Sequence, residues 1–324
     1  MFPQTTVLAT GGTVLRDLAH RFGHILNVKD DFGAMGNGSH DDASVIQTAI
    51  TEVANAGGGI VFFPPGNYIL GTGLQIPEVG TGVGVILQGS GSQATTLTPN
   101  QTMNVITFEE STSYSSVRDM QLNCGTSGGN GVLIPYYASP NEVVGCTLLN
   151  VTILGGSVGL NIGATDCLIQ NCYIGEQIAG GISVKSTGAN WYIRNKFDSP
   201  NSSPAMAFYQ GVSQITGVVE NHLVQCDFSG NFTEYSVWID DTAGDAVMVF
   251  QSCVFGGGNS PPIPFQTNGE YRWISLNNCE VGASIINNAN QGVMNIVGCY
   301  PVSGNTITGL TSPTCMITGC FNIS

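Results

Sequence analysis

Positive charge is scarce in this chain: of 324 residues only 8 are Lys or Arg, against 22 Asp or Glu, giving a formal net charge of −14. With neither a basic patch nor a basic helix to neutralise phosphates, nucleic acid and an anionic membrane surface are poor partners. Long apolar runs are missing too, and the longest fall short of the roughly 18 to 20 residues that a membrane-spanning helix needs. No membrane insertion is expected. The opening stretch MFPQTTVLATGGTVLRD lacks a basic segment followed by an apolar core. The expectation is therefore release by a route other than general secretion, or a signal already removed. There is no Cys-x-x-Cys pair, and His20, His24, His40 and His222 are scattered, so neither a metal nor another cofactor is expected.

Punctuation, by contrast, is abundant. The 44 glycines and 14 prolines cut the chain into short segments, which favours turns and short strands over long helices. Within them one motif recurs, best seen in Leu168 to Gly175, LIQNCYIG. Aligned on its fourth position it gives Asp119, Asn150, Asn171, Asn195, Gln225, Ser252, Asn278, Gly298 and Gly319, spaced 20 to 31 residues apart. The next residue is Met120, Val151, Cys172, Cys226, Cys253, Cys279, Cys299 or Cys320, with Lys196 the exception. Such a period, with apolar residues flanking a small polar turn residue, is what a stack of short parallel strands requires. The fold class expected is all-β, a single-stranded parallel β-helix.

Same-phase residues in successive rungs stack, so the cysteines read as reduced, buried, small hydrophobes. Lys196 breaks the column. Either the register slips by one residue in YIRNKFDS or a charge is buried beside a partner such as Asp198, and the slip is favoured because burying an unpaired ammonium is costly.

Ahead of the repeats, Thr13 to Leu26 places Leu15, Leu18, Ala19, Phe22 and Ile25/Leu26 at helical spacing. This predicts a short amphipathic helix within residues 1–26, serving as a docking or oligomer contact or packed along its own solenoid. Residues 27–324 form the β-helix, with a cap over 27–70. In that cap Ser39, Asp41 and Asp42 precede an apolar stripe of Val45, Ile46, Ala49, Ile50 and Val53 that ends at Gly57 to Gly59. A capping helix followed by the strand Ile60 to Phe63 would cover the open end of a solenoid.

The same block, through Val28, Asp31, Phe32, Gly33, Ala34, Asp41, Asp42, Ile46, Ala49, Ile50, Gly58, Gly59, Val61, Phe63, Pro64, Gly66 and Tyr68, resembles the N-terminal capping signature of the pectin-lyase-like right-handed parallel β-helix superfamily. The preceding VLRDLAHRFGHILNVKD looks like the segment that joins head-binding part to β-helix in phage tailspikes and tail fibres. These resemblances imply a right-handed helix, a homotrimer, attachment to a phage tail or baseplate protein through residues 1–26, a location in the virion outside the cell, and host surface polysaccharide as the partner. The superfamily's pectinase motifs are not found, and past Arg118 the basic residues are Lys185, Arg194, Lys196 and Arg272, so pectin chemistry is disfavoured.

Two sets of residues carry candidate chemistry. In the strand after the turn, alternation sends Gln121, Thr152, Tyr173, Phe197, Asp227, Val254, Glu280, Tyr300 and Phe321 outward. Asp227 and Glu280 would stand two rungs apart, with backbones roughly 9 to 10 Å from each other, near the carboxyl spacing of an inverting glycosidase. The second set is NFTEYSVWIDDTAGD, where Trp238 should face out as a stacking surface for a sugar, extended by Tyr209 or Phe208 of the preceding rung and by Tyr235. Glu234 before the strand, and Asp240 and Asp241 after it, could supply the protonated and ionised carboxyls of glycoside hydrolysis. The same residues also fit solvated surface acids and a tryptophan at a subunit contact.

The expected function is a tailspike or tail fibre that binds host polysaccharide and depolymerises it, by hydrolysis rather than by lyase chemistry. A non-catalytic receptor-binding fibre and a free-standing bacterial polysaccharide hydrolase or lyase are the alternatives.

Overall fold

The computed structural model describes residues 6–8, 15–17, 25–80, 84–125, 128–137, 140–184, 188–198, 206–210, 219–228, 230, 235–241, 246–255, 263–282, 285–287, 291–301 and 315–320. Almost all of these belong to one coil of parallel strands, so the all-β parallel solenoid expected from the repeat is what the chain forms. Each rung contributes a strand before the recurring turn, a strand after it, and a third strand on a separate face, giving a pre-turn, a post-turn and a third ladder. The rung around the opening motif shows the plan: Leu168–Gln170, then Tyr173–Gly175, then Gly180–Val184.

Register is set at the turn. Asp119, Asn150, Asn171, Arg194, Gln225, Ser252, Asn278, Gly298 and Gly319 all have φ between 51° and 65°, the left-handed region open to Gly and tolerated by Asn and Asp. Their side chains form part of an exposed ladder, with Asn150 Nδ2 donating to Asp119 Oδ1 at 2.9 Å and Asn171 Nδ2 to Asn150 Oδ1 at 3.3 Å. Arg194, not Asn195, holds this position in its rung. The register slip is therefore real: Lys196 pairs with Tyr173 and Asp227 on the outward face, and Asn195 points into the core beneath the cysteines.

One residue past the turn runs a column of buried thiols whose chemistry is more than packing. Cys172, Cys226, Cys253, Cys279 and Cys299 donate Sγ–H to the carbonyls of Leu148, Tyr192, Leu223, Phe250 and Leu276, the residue two before the turn one rung back, at 3.2 to 3.8 Å. Asn195 serves the same place with its amide: Nδ2 donates to Ile169 O at 2.9 Å, while Oδ1 accepts the Cys172 N–H at 2.9 Å. At these six positions a small side chain with a donor satisfies a buried carbonyl as well as filling space. No described cysteine is in a disulfide.

Inward positions alternate as a strand pattern requires. The post-turn ladder stacks Phe197 on Phe228 at 4.8 Å and Phe228 on Phe255 at 5.2 Å, the rings within 7° of parallel. Near the N-terminal end lies an α-helix, α1 (Ala43–Asn55), that buries Ala43, Ile46, Ala49, Ile50 and Val53. Gln47 fastens it to the coil by donating to Gln75 O at 2.9 Å and accepting the Gln75 N–H at 2.8 Å. Asp41 Oδ1 accepts from Ala43 N at 3.0 Å and from Gly71 N at 2.8 Å, and Asp42 accepts from Met35 N and Gly36 N, both at 2.8 Å. A Cβ on Gly71 would overlap the Asp41 carboxylate, so that glycine permits the contact.

Most of the helix expected within Thr13 to Leu26 lies outside the described residues, which there are 15–17 and 25–26. Leu15–Asp17 is a strand paired antiparallel with Thr6–Leu8, and Ile25–Asn27 is a strand paired parallel with Ile60–Phe62. At these two described ends of the segment, pairing to a neighbouring strand overrides the weak local helical preference.

Candidate functional site

On the third ladder the register Ile182, Phe208, Val237, Phe265 alternates with Ser183, Tyr209, Trp238, Gln266. Ile182, Phe208 and Val237 are fully buried, so Tyr209 and Trp238 occupy the opposite, outward positions, where both are half-buried. Their rings lie 5.4 Å apart, tilted by 59°. Trp238 thus faces out on a rigid sheet, with Tyr209 beside it on the preceding rung. The backbones of Asp240 and Asp241 continue the strand and pair with Asn268 and Gly269. Glu234 and the side chains of Tyr235, Asp240 and Asp241 lie outside the described residues.

Tyr173 and Asp227 belong to a different ladder. The post-turn outward column runs Gln121, Thr152, Tyr173, Lys196, Asp227, Val254, Glu280, Tyr300. Phe197, which the unslipped alignment puts in this column, is instead fully buried one residue further on. Asp227 and Glu280 do stand two rungs apart. The neighbour of Asp227 on the other side is Lys196, whose Nζ is 3.9 Å from Asp198 Oδ2 with about half its side chain exposed; such a pair adds only about 0 to 1 kcal/mol to stability. The Tyr173 hydroxyl donates to the same Asp198 Oδ2 at 3.3 Å. Burial first, then the charges of Asp198 and Glu176, push that hydroxyl up to about 12. It stays a neutral donor over the whole physiological range.

The proposed residues therefore fall into an aromatic pair on the third ladder and a Tyr173, Lys196, Asp198, Asp227 cluster on the post-turn ladder. Sequence reasoning missed Lys196 as a member of the second group because it assigned the place to Phe197. It also missed the contact between Trp191 and His222, whose rings stack at 4.1 Å and 7°, and the 2.7 Å hydrogen bond between His222 Nε2 and Glu220 Oε1. Once Arg194 is taken as the turn residue, Trp191 and His222 fall in register, and that is the signal that could have found them. Among the described residues no three His, Cys, Asp or Glu side chains converge as metal ligands. An open depression lined by Phe62, Gln88, Gly89, Ser90, Gly91 and Asp119 lies toward the N-terminal end and contains none of these residues.

Comparison with known proteins shows likeness in the N-terminal part of the sequence and in the fold. The profile of the family "Rhamnogalacturonase A/epimerase, pectate lyase-like" matches residues 25–117. Mannuronan C5-epimerase AlgE3 of Azotobacter vinelandii is 33% identical over 106 residues, which is 30% of this chain and 6% of that protein. The tailspike of E. coli bacteriophage HK620, solved as a D339A mutant with a pentasaccharide, superposes with a TM-score of 0.69 at 12% identity, over 96% of this chain and 64% of that one. Tailspike gp49 of Acinetobacter baumannii bacteriophage Fri1, a capsular polysaccharide depolymerase, gives 0.67 at 13% identity, over 98% and 66% respectively. The chain thus spans a small fraction of the curated relative and about two thirds of the tailspikes.

Proposed function

Taking the chain as a pectin-lyase-like parallel β-helix that resembles phage tailspikes, we propose that it is the body of a phage or prophage tailspike or tail fibre. It binds host cell-surface polysaccharide and depolymerises it by glycoside hydrolysis. The observation that carries this reading is the outward pair Tyr209 and Trp238, 5.4 Å apart on a parallel sheet. Aromatic rings held on a stiff sheet offer apolar faces to sugar C–H groups at little entropic cost. Glu234, Asp240 and Asp241 flank the same strand and supply the acid and the base, while Tyr173 and Asp227 with Lys196 form a second polar contact along the chain of sugars. The protein acts as a homotrimer outside the cell, in the virion, and residues 1–26 dock it to a tail or baseplate protein. Among the described residues no helix is long and apolar enough to cross a membrane.

A second reading, a free-standing polysaccharide hydrolase or lyase acting on a uronate polymer, draws on two observations. Lys196 stands between Tyr173 and Asp227 as a cation for a sugar carboxylate, and the curated relative is a mannuronan epimerase. Incubation of the purified protein with bacterial capsule or lipopolysaccharide separates hydrolysis, lyase chemistry and binding alone. New reducing ends without unsaturated-product absorbance support hydrolysis, the absorbance supports the lyase, and binding with neither leaves a receptor-binding fibre. If cleavage occurs, Glu234→Gln and Asp240→Asn should each slow it by about 10²- to 10⁴-fold. Unchanged rates in both remove these acids from the mechanism.

A further inference from the structure

The outward face of the pre-turn ladder differs in charge from that of the post-turn ladder. Between Thr147 and Val297 its described outward side chains include no Lys, Arg or Asp and a single Glu. That residue, Glu220, is held by His222 at 2.7 Å. Leu168, Ile193, Val224 and Val249 sit there half-buried, and Trp191 and Trp273 remain 43% and 38% exposed. The post-turn face, by contrast, carries Lys196, Asp198, Asp227 and Glu280.

From this contrast we infer that the pre-turn face is where a second copy of the same chain packs. Two copies each carrying a net charge of −14 repel wherever their acids meet, so close approach requires a surface from which acids are missing. Both copies repeat at the same rung spacing of about 4.8 Å, so a row of aliphatic side chains on one can seat between rows on the other along several rungs. Exposed tryptophans in register with aliphatic side chains, Trp191 beside Leu168 and Trp273 beside Val247 and Val293, match the composition of an interface core. The inference rests on the assembly part of the reading above and is independent of its sugar chemistry.

The experiment is sedimentation velocity with light scattering on the full chain. Wild type is expected to be multimeric. Leu168→Glu with Val249→Lys should give monomers with an unchanged far-UV circular dichroism spectrum. Gln170→Glu with Gln251→Glu, at outward positions already polar and outside the core, should raise the dissociation constant at least tenfold even if the first pair fails to fold. Tyr300→Lys on the post-turn face should leave the assembly intact. A monomeric wild type overturns both assembly and interface. A multimer that survives the Gln170/Gln251 pair, or that dissociates with Tyr300→Lys instead, overturns this face alone, as does loss of binding to purified lipopolysaccharide without any change of mass.

Discussion

Asn195→Val makes the sharpest test of how the coil is held together, because the repeat and the structure give it opposite signs. In the aligned column Val151 and several cysteines occupy the equivalent place, so a valine looks like a repair. In the structure Asn195 is 1% exposed and satisfies two buried backbone groups, Ile169 C=O and Cys172 N–H, each at 2.9 Å. Orphaning a buried polar group costs about 1 to 3 kcal/mol, so two cost about 2 to 6. Burying the isopropyl group returns about 1.5 to 3 kcal/mol. The central values of the two ranges, about 4 and about 2 kcal/mol, leave a net loss of roughly 2 kcal/mol. Asn195→Cys should lose less, since a thiol can still donate to Ile169 O as its neighbours do. Because a solenoid is stabilised rung by rung and global unfolding of such an array is not simply two-state, the assay is amide hydrogen exchange at Cys172 with chemical denaturation alongside. Faster Cys172 exchange in the valine variant is predicted. Exchange and denaturation midpoints at or above wild type would refute the account of this column.

Other expectations follow from the same geometry. Burial holds the Cys172 thiol up at about 12; since the thiolate is the reactive form, Cys172 should resist iodoacetamide at pH 8 in the native protein and react once it is denatured, as mass spectrometry of the labelled peptide would show. Phe228→Ala removes the middle ring of a three-ring stack and should cost about 3 to 5 kcal/mol, with rapid proteolysis near residue 228 as the readout. Asp41→Ala deletes the acceptor shared by Ala43 N–H and Gly71 N–H and should cost about 0.5 to 2 kcal/mol in thermal denaturation. Replacing it by Asn should recover most of that.

Much of the fold was legible because it is periodic. The turn residue, the buried column after it, the outward placing of Trp238 and the stripe Ile46, Ala49, Ile50, Val53 all follow from repeat or helical phase, and a coil enforces phase over many rungs. What escaped was local. In YIRNKFDS the shift from Asn195 to Arg194 at the turn left no trace in composition, since Asn is equally at home in the turn and, when hydrogen-bonded, in the core. That single residue moved Lys196 into the outward column and Phe197 out of it, and hid the stacking of Trp191 on His222, partners 31 residues apart. At Leu15–Asp17 an apolar pattern fits both helix and strand, and only its pairing partner decides. Glu234 and the side chains of Asp240 and Asp241 lie outside the described residues, so their part in the chemistry stays a proposal from the sequence.

The central claim, that the outward aromatic pair on the third ladder holds polysaccharide, is tested most directly by titrating wild type and Trp238→Ala with a panel of purified bacterial capsular polysaccharides and lipopolysaccharides. Wild type should bind at least one of them, and the variant should bind it at least tenfold more weakly, a loss of about 1.4 kcal/mol or more, with an unchanged circular dichroism spectrum. Equal affinity in the two proteins, or binding to none of the panel by wild type, would contradict it.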